Sequence, residues 1–352
     1  MTKLKDNYFE IKRAGINTTF QDNGRKNLNH IGIPISGAMD KRNFMLANAL
    51  LKNEINTPVI EFAYQGPLLE FNGDRIYFVI TGDVKFEIIK NNTEKIAGLP
   101  YNVYIIENKD QIDIQSTNKS VYGYLSISEN IILDEIWDSV SINTKAKIGS
   151  NNGEKLSVNQ KIKINHKNRN IALTKLNYID KKIEYIRVIK ATNFDYFSEK
   201  AKEVFFKEEF KVTKLSDRMG MRLEGQILEN IVSTNIKSEG LVKGVVQVPS
   251  DGNPIIMLAD HGTIGGYPKI ANVISADFDK LAQMTPGATI KFKEANLLKL
   301  DITKAKSKLG WKPRWSIEKA LDMTVKWYQM SNENVDTMYE YSLEQIKSYQ
   351  LG

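Results

Sequence analysis

A mainly β body followed by a short α-helical tail is the fold this sequence predicts, and three observations carry the prediction. Short β-branched and aromatic runs recur through the first 293 residues, broken by Asn-Gly and Gly-Asp turns. These runs lie too close together for strand–helix–strand units, which favours barrels or sandwiches over a doubly wound sheet. From about Glu294 the texture changes to helix-length amphipathic stretches.

Taken in order, Thr57 to Phe71 alternates apolar and polar positions and stops at Asn72-Gly73-Asp74. Arg75–Thr81 follows and closes at Gly82-Asp83, so the pair reads as a hairpin. The same texture returns at Tyr101–Glu107, Val121–Ile127, Tyr185–Lys190 and Gly244–Val248. Helices are expected at Lys41–Lys52, Asp195–Phe206 and Asp277–Met284, the last ended by Thr285-Pro286-Gly287. In the tail, Asp301–Leu309, Ser316–Met330 and Asp336–Tyr349 suit helices. The middle one repeats Ile317, Leu321, Thr324, Val325 and Tyr328 near the 3.6-residue period, with Ser316 as its N-cap. The expected organisation is residues 1–185 and 186–293 as two β subdomains and 294–352 as a separate helical module.

Composition removes several chemistries. Without cysteine there is no disulfide, no thiolate nucleophile and no Cys-based metal cluster. His30, His166 and His261 are too scattered to suggest a multi-His metal site, so no metal is expected. The net charge of +7 comes from dispersed lysines such as Lys155, Lys161, Lys163, Lys167, Lys181 and Lys182, a solvated-face pattern rather than a nucleic-acid surface. No stretch approaches the roughly 18–20 apolar residues of a membrane span, and the first residues have no apolar run behind them. A cytoplasmic protein without nucleic-acid or membrane partners is expected.

Four blocks could carry chemistry. In the first, Thr18 to Arg25 precedes Gly32-Ile33-Pro34-Ile35-Ser36-Gly37-Ala38-Met39-Asp40, a turn leading into a helix. Free N–H groups there could hold an anion near Ser36, Gly37 and Asp40, or Asp40 serves only as the helix cap. The second, Glu61 through Gly66-Pro67, reads as a strand and its turn. The third, Ser216 to Gly225, holds Asp217, Arg218 and Arg222. Both guanidinium groups suit bidentate contact to a carboxylate or phosphate, and the alternative is a local Asp217–Arg218 pair with Arg222 on a strand surface.

The fourth block is the densest. It runs from Gln247 to Pro254, then through Asp260-His261-Gly262-Thr263-Ile264-Gly265-Gly266-Tyr267-Pro268-Lys269. A glycine-rich loop can bring backbone N–H donors close to an oxyanion, with Lys269 supplying charge and Tyr267 or Asp260 handling protons. A tight structural turn is the rival reading. No Gly-Lys-Ser/Thr follows at the spacing of a phosphate loop.

The wordings T-T-F-Q-D-N-G-R, G-I-P-I-S-G-A-M-D, S-D-R-M-G-M-R-L-E-G, Q-V-P-S-D-G-N-P and G-G-Y-P-K-I-A-N-V-I-S-A-D resemble the biotin-dependent carboxyltransferase family over residues 11–292. That family includes allophanate hydrolase subunit 2, the C subunit of the ATP-dependent 5-oxoprolinase and an antagonist of a sporulation-kinase inhibitor. The resemblance implies two cyclophilin-like β-barrel subdomains, a partner subunit in a hetero-oligomer, and a small amide substrate. It implies an ATP-dependent hydrolase subunit, with 5-oxoproline opening to glutamate as the leading reaction and ATP bound by or shared with the partner. The alternatives are carboxyl transfer to a urea-derived amide with biotin on another chain, or a regulatory protein that binds a kinase inhibitor.

On this reading Asp217, Asp260, Lys269 and Tyr267 would be catalytic. Arg218, Arg222, Gln247, Ser36, Gly37, Asp40, Thr263, Gly265 and Gly266 would bind substrate. The sequence departs from the family at 126–153, where Ser126-Ile127-Ser128-Glu129-Asn130 and Asp138-Ser139-Val140-Ser141-Ile142-Asn143 replace a glycine-rich stretch. His261-Gly262 also stands where relatives carry a longer polar side chain. The tail resembles the C-terminus of nucleotide-sugar dehydratases, CDP-glucose 4,6-dehydratase in particular. No G-x-G-x-x-G follows a strand near the start of the chain, so the tail implies no dehydratase activity and reads as a fused fragment.

Overall fold

The computed structural model describes residues 7–91, 93–165, 167, 169–178, 184–295, 314–316, 319–320, 322–327 and 338–351. Two compact units result, Met1–Ala295 and Asn296–Gly352.

The larger unit is mainly β. Two antiparallel sheets occupy its first half. One has seven strands in the order Asn130–Ile131, Lys161–Asn165, Asn7–Arg13, Leu68–Asn72, Gln111–Thr117, Val84–Lys90 and Glu94–Gly98. The other has five, in the order Asn17–Gln21, Val59–Ala63, Tyr122–Ile127, Ile76–Thr81 and Val103–Ile106. Both sheets feed one core that includes Phe9, Phe71, Ile112 and Ile162 from the first and Phe20, Phe62, Phe78 and Leu125 from the second. The runs expected at 57–71, 75–81, 101–107 and 121–127 all form strands. Ile76–Thr81 is buried along its whole length, because neighbours cover both of its faces.

The second half closes into a seven-stranded barrel in the order Ile186–Lys190, Lys269–Val273, Val245–Gln247, Ile255–Met257, Gly220–Glu224, Glu209–Val212 and Thr289–Glu294. A parallel pairing of Ile186–Lys190 with Thr289–Glu294 closes it. Closure removes the sheet edges that an open arrangement would expose. Phe205 on the helix Glu199–Lys207 stacks on barrel Phe292 at 4.4 Å and plugs one side of the core.

Helices lie where the sequence placed them, at Lys41–Leu50, Glu199–Lys207 and Ser275–Ala282. Ser198 caps the second through the Ala201 N–H. In the smaller unit, Ser316 accepts from the Lys319 N–H as an N-cap, residues 319–320 and 322–327 are helical, and a last helix spans Met338–Leu351. The helix expected at Asp301–Leu309, and Ile317, Leu321 and Tyr328 of the middle repeat, lie outside the described residues.

Candidate functional site

The first half and the barrel meet along a polar seam, and the candidate site lies in it. At its centre is Arg218, which is 7% exposed. Its Nε donates to Asp260 Oδ2 at 2.8 Å and its Nη2 to Asp260 Oδ1 at 3.1 Å, a bidentate pair. Nη1 donates to Glu61 on the strand Val59–Ala63, and Nη2 also reaches the Gly37 carbonyl at 2.8 Å. The second oxygen of Glu61 accepts from the Met39 N–H at 2.8 Å. Burial works against the Arg218 charge, but the Asp260 and Glu61 carboxylates outweigh it and keep the guanidinium protonated. Complete burial raises the Glu61 pKa, opposed by Arg218 and the Met39 amide.

Two further links fix the seam. Asp40 caps the helix Lys41–Leu50 through the Asn43 N–H at 3.0 Å, and its other oxygen accepts from Gln283 Nε2 at 2.8 Å. Gln283 Oε1 in turn takes the Val121 and Tyr122 amides. Asp279 accepts from the Lys41 and Arg42 amides of the same helix start, at 2.9 and 3.2 Å. The helix N-terminus therefore draws its acceptors from both halves of the unit, satisfying donors that would otherwise be unpaired.

Beside the triad opens a cleft of about 300 Å³. Ala63, Tyr64, Tyr122 and Lys145 line it from the first half; Asp217, Arg218, Met221 and Asp260 line it from the barrel. Asp217 takes the Met219 and Gly220 amides on one oxygen, and Lys145 Nζ lies 2.5 Å from the other, an exposed pair at the mouth. Burial pushes the Tyr122 and Tyr64 phenols above their usual range, so both keep their protons. Tyr64 holds a φ of +59°, a left-handed conformation that is uncommon and costly for an aromatic residue and that clusters at functional sites.

The structure thus gathers Asp217, Arg218 and Asp260 at the cleft, with Gly37 touching Arg218 through its carbonyl and Ser36 donating its N–H to the Ala259 carbonyl at 3.1 Å. Gly37 has a φ of +84°, and a Cβ there would lie 2.8 Å from the Asn23 carbonyl carbon, so only glycine fits. Arg222 is exposed on the strand Gly220–Glu224, with Met221 and Leu223 turned inward.

The remaining candidates form a second group. Lys269 pairs with Glu239, whose carboxyl is lowered chiefly by that contact, and Gln247 Nε2 donates to the Tyr267 carbonyl at 3.1 Å. The glycine loop is one edge of a ribbon: Ile264–Gly265 pairs with Glu239–Gly240, and the Thr263 and Gly266 carbonyls accept from Leu241 and Ile236. Sequence reasoning read Glu61 and Tyr64 only as part of a strand and its turn. A lone acid inside Val-Ile-Glu-Phe-Ala was the available signal for Glu61, since an ionised group in a buried strand requires a partner.

Lys243 was also missed. Its Nζ lies 3.7 Å over the Phe278 ring and 3.4 Å from the Met39 carbonyl, and burial lowers its pKa to about 7. Among the described residues no group of three or more His, Asp or Glu side chains is placed to hold a metal ion, and no helix is long and apolar enough to cross a membrane.

The carboxyltransferase domain, subdomain A and B, matches residues 31–294. The chain belongs to that carboxyltransferase family. It is 34% identical over 280 residues to the 5-oxoprolinase C subunit of Haemophilus influenzae, spanning 79% of this chain and 88% of the relative. It is 30% identical over 293 residues to the protein of the same name from Escherichia coli, spanning 82% and 91%. Among solved structures, the K. lactis urea amidolyase superposes with a TM-score of 0.75 at 26% identity, over 83% of this chain and 19% of that one. The carboxyltransferase match ends one residue before the larger compact unit does.

Proposed function

We propose that this chain is the carboxyltransferase-family subunit of an ATP-dependent 5-oxoprolinase and that the cleft beside Arg218 binds the small amide. The observation that carries this reading is the similarity to the 5-oxoprolinase C subunit along 88% of the relative's length. Chemistry is assigned to the cleft. Asp260 is aimed by Arg218, Tyr122 and Tyr64 offer neutral phenol donors, and the Lys145–Asp217 pair guards the mouth. A cleft of about 300 Å³ with a largely apolar wall is too small for a nucleoside triphosphate, and no phosphate loop is present. ATP is therefore assigned to the partner subunit, and no step on this chain is routed through it. Residues 294–352 take no part in this activity, which is cytoplasmic in this reading.

Co-purification with the partner subunit, followed by assay of ADP and glutamate release from 5-oxoproline, tests the proposal. Coupled release is expected for the full chain and for a chain ending at Ala295. Bicarbonate- and biotin-dependent turnover of urea instead would move the chain to the urea amidolyase reading that the K. lactis superposition favours. ATP hydrolysis indifferent to every amide would remove both.

A further inference from the structure

The charges that line the cleft are unevenly engaged. Among its described lining residues the cations are Arg218 and Lys145, set against Asp217 and Asp260. All three nitrogens of the Arg218 guanidinium are occupied, by Asp260, by Glu61 and by the Gly37 carbonyl. Two carboxylates face that single guanidinium, so the buried triad presents no net positive charge to a ligand. An anion entering the cleft meets Asp217 and Asp260 with nothing at the triad left to offset them.

Lys145 is placed differently. It sits in a tight turn closed by Asn143 and Ile148, whose backbone groups exchange hydrogen bonds at 2.8 and 3.2 Å. The Asn143 side-chain oxygen accepts from the Lys145 and Ala146 amides at 3.2 and 3.0 Å, and its Nδ2 donates to Ser36 Oγ at 3.3 Å. The backbone under Lys145 is therefore pinned, while its side chain is 60% exposed and meets only Asp217 among the described residues. An ammonium carries three N–H donors, so this contact leaves donors free for a ligand.

Asp217 does not depend on the lysine. Its other oxygen accepts from the Met219 and Gly220 amides at 2.8 and 3.2 Å, which hold the carboxylate in place, and water reaches a side chain that is 45% exposed. An exposed ion pair of this kind contributes little and exchanges partners readily. Deeper in the same cleft, the Tyr64 and Tyr122 phenols and the Thr144 hydroxyl supply donors and acceptors suited to an amide group.

We propose that Lys145 selects an anionic substrate, leaving Asp217 to pair with the carboxylate of a small lactam whose amide end reaches the two phenols. The inference rests on the amide-binding cleft proposed above and names its substrate class, a small amide carrying one carboxylate. Without this exchange of partners the cleft would suit a neutral amide.

The test is calorimetric titration of the full chain, alone and with its co-purified partner, using 5-oxoproline and 2-pyrrolidinone, the same lactam without the carboxylate. Wild type is expected to bind 5-oxoproline at least about 10-fold more tightly than 2-pyrrolidinone. Lys145→Met should weaken 5-oxoproline binding by about 10-fold or more and leave 2-pyrrolidinone binding unchanged, a split that damage to the fold would not produce. Lys145→Arg, which keeps the charge, should restore most of the preference. Asp217→Asn should move the other way, because it frees Lys145 and removes a like charge: 5-oxoproline should bind at least as tightly as it does to wild type.

The proposal is overturned by a wild type that binds neither lactam at tens of millimolar, with or without the partner, or that binds both equally. An undiminished preference in Lys145→Met overturns it too, as does loss of 5-oxoproline binding in Asp217→Asn. Assays of the reconstituted complex separate it from the hydrolase reading. No coupled release of ADP and glutamate, with the Lys145-dependent preference intact, removes that reading and keeps this site. Unimpaired 5-oxoproline turnover in Lys145→Met does the reverse.

Discussion

The two clusters that look most site-like in the sequence have opposite structural characters. Around Arg218 the charges are buried and come from segments far apart: Glu61 lies 157 positions from Arg218, and Asp260 lies 42. Around the glycine loop the partners belong to the barrel half of the unit, and the buried Lys269 pairs with a Glu239 whose side chain is 42% exposed. The difference teaches that glycine and charge density along a sequence mark turns as readily as sites. Burial of charge between two halves of a fold is the rarer event, and it is the one that requires compensation.

The most severe way to break the comparison is Arg218→Met, which leaves Glu61 and Asp260 buried and facing each other. A loss of about 3–5 kcal/mol in urea unfolding is expected. Lys269→Met leaves only a half-exposed carboxylate behind and should cost about 1 kcal/mol or less. Equal losses in the two variants would erase the distinction drawn between the clusters.

Next in size is Asp40→Ala. It removes a helix cap and, in the same stroke, the acceptor for Gln283 across the seam. A cost of about 1–2 kcal/mol is expected, only partly recovered in Asp40→Asn, which keeps a capping oxygen but turns an amide donor toward Gln283 Nε2. If the cap alone mattered, Gln283→Ala would be silent; the shared hydrogen bonds of Gln283 predict that it is not.

Local features such as this cap were legible in the sequence. Asp40 could be read as an N-cap because capping is decided within four residues, and Arg75–Thr81 as a strand because its composition and closing turn are local. The partners of Arg218 were not legible, since neither Glu61 nor Gly37 is near it in sequence and only the folded seam brings them together. Even Ser139 and Ser141, in the stretch that has lost the family's glycines, acquire a role only when Asp22 folds onto them. Arg222 shares its block with Arg218 and looks its equal, but Arg218 precedes the strand and enters the seam, whereas Arg222 lies on the strand's exposed face.

Lys243 tests the seam through pH. Burial sets its folded pKa at about 7, well below the 10.5 of an exposed lysine. Between those values the unfolded chain binds the extra proton, so this residue makes stability rise with pH across that window and leaves a constant penalty below it. The Lys41, Arg218, Glu61 and Asp279 charges and the Phe278 ring all face this amine, and the ring favours the protonated form. Lys243→Met should therefore melt above wild type at pH 7, by a margin that shrinks toward pH 10. A margin independent of pH would mean that the gain came from packing alone.

The smallest expected effect is the sharpest on the comparison itself. Arg222 stands on the outer face of a strand whose Met221 and Leu223 fill the barrel, so Arg222→Ala should change stability by no more than about 0.5 kcal/mol. If the cleft beside Arg218 holds the substrate, turnover of the reconstituted complex should also survive. A variant that folds as wild type yet loses turnover or partner binding would show that the working surface extends past the seam onto the outer face of the barrel. The buried triad would then be the support of that surface rather than its centre.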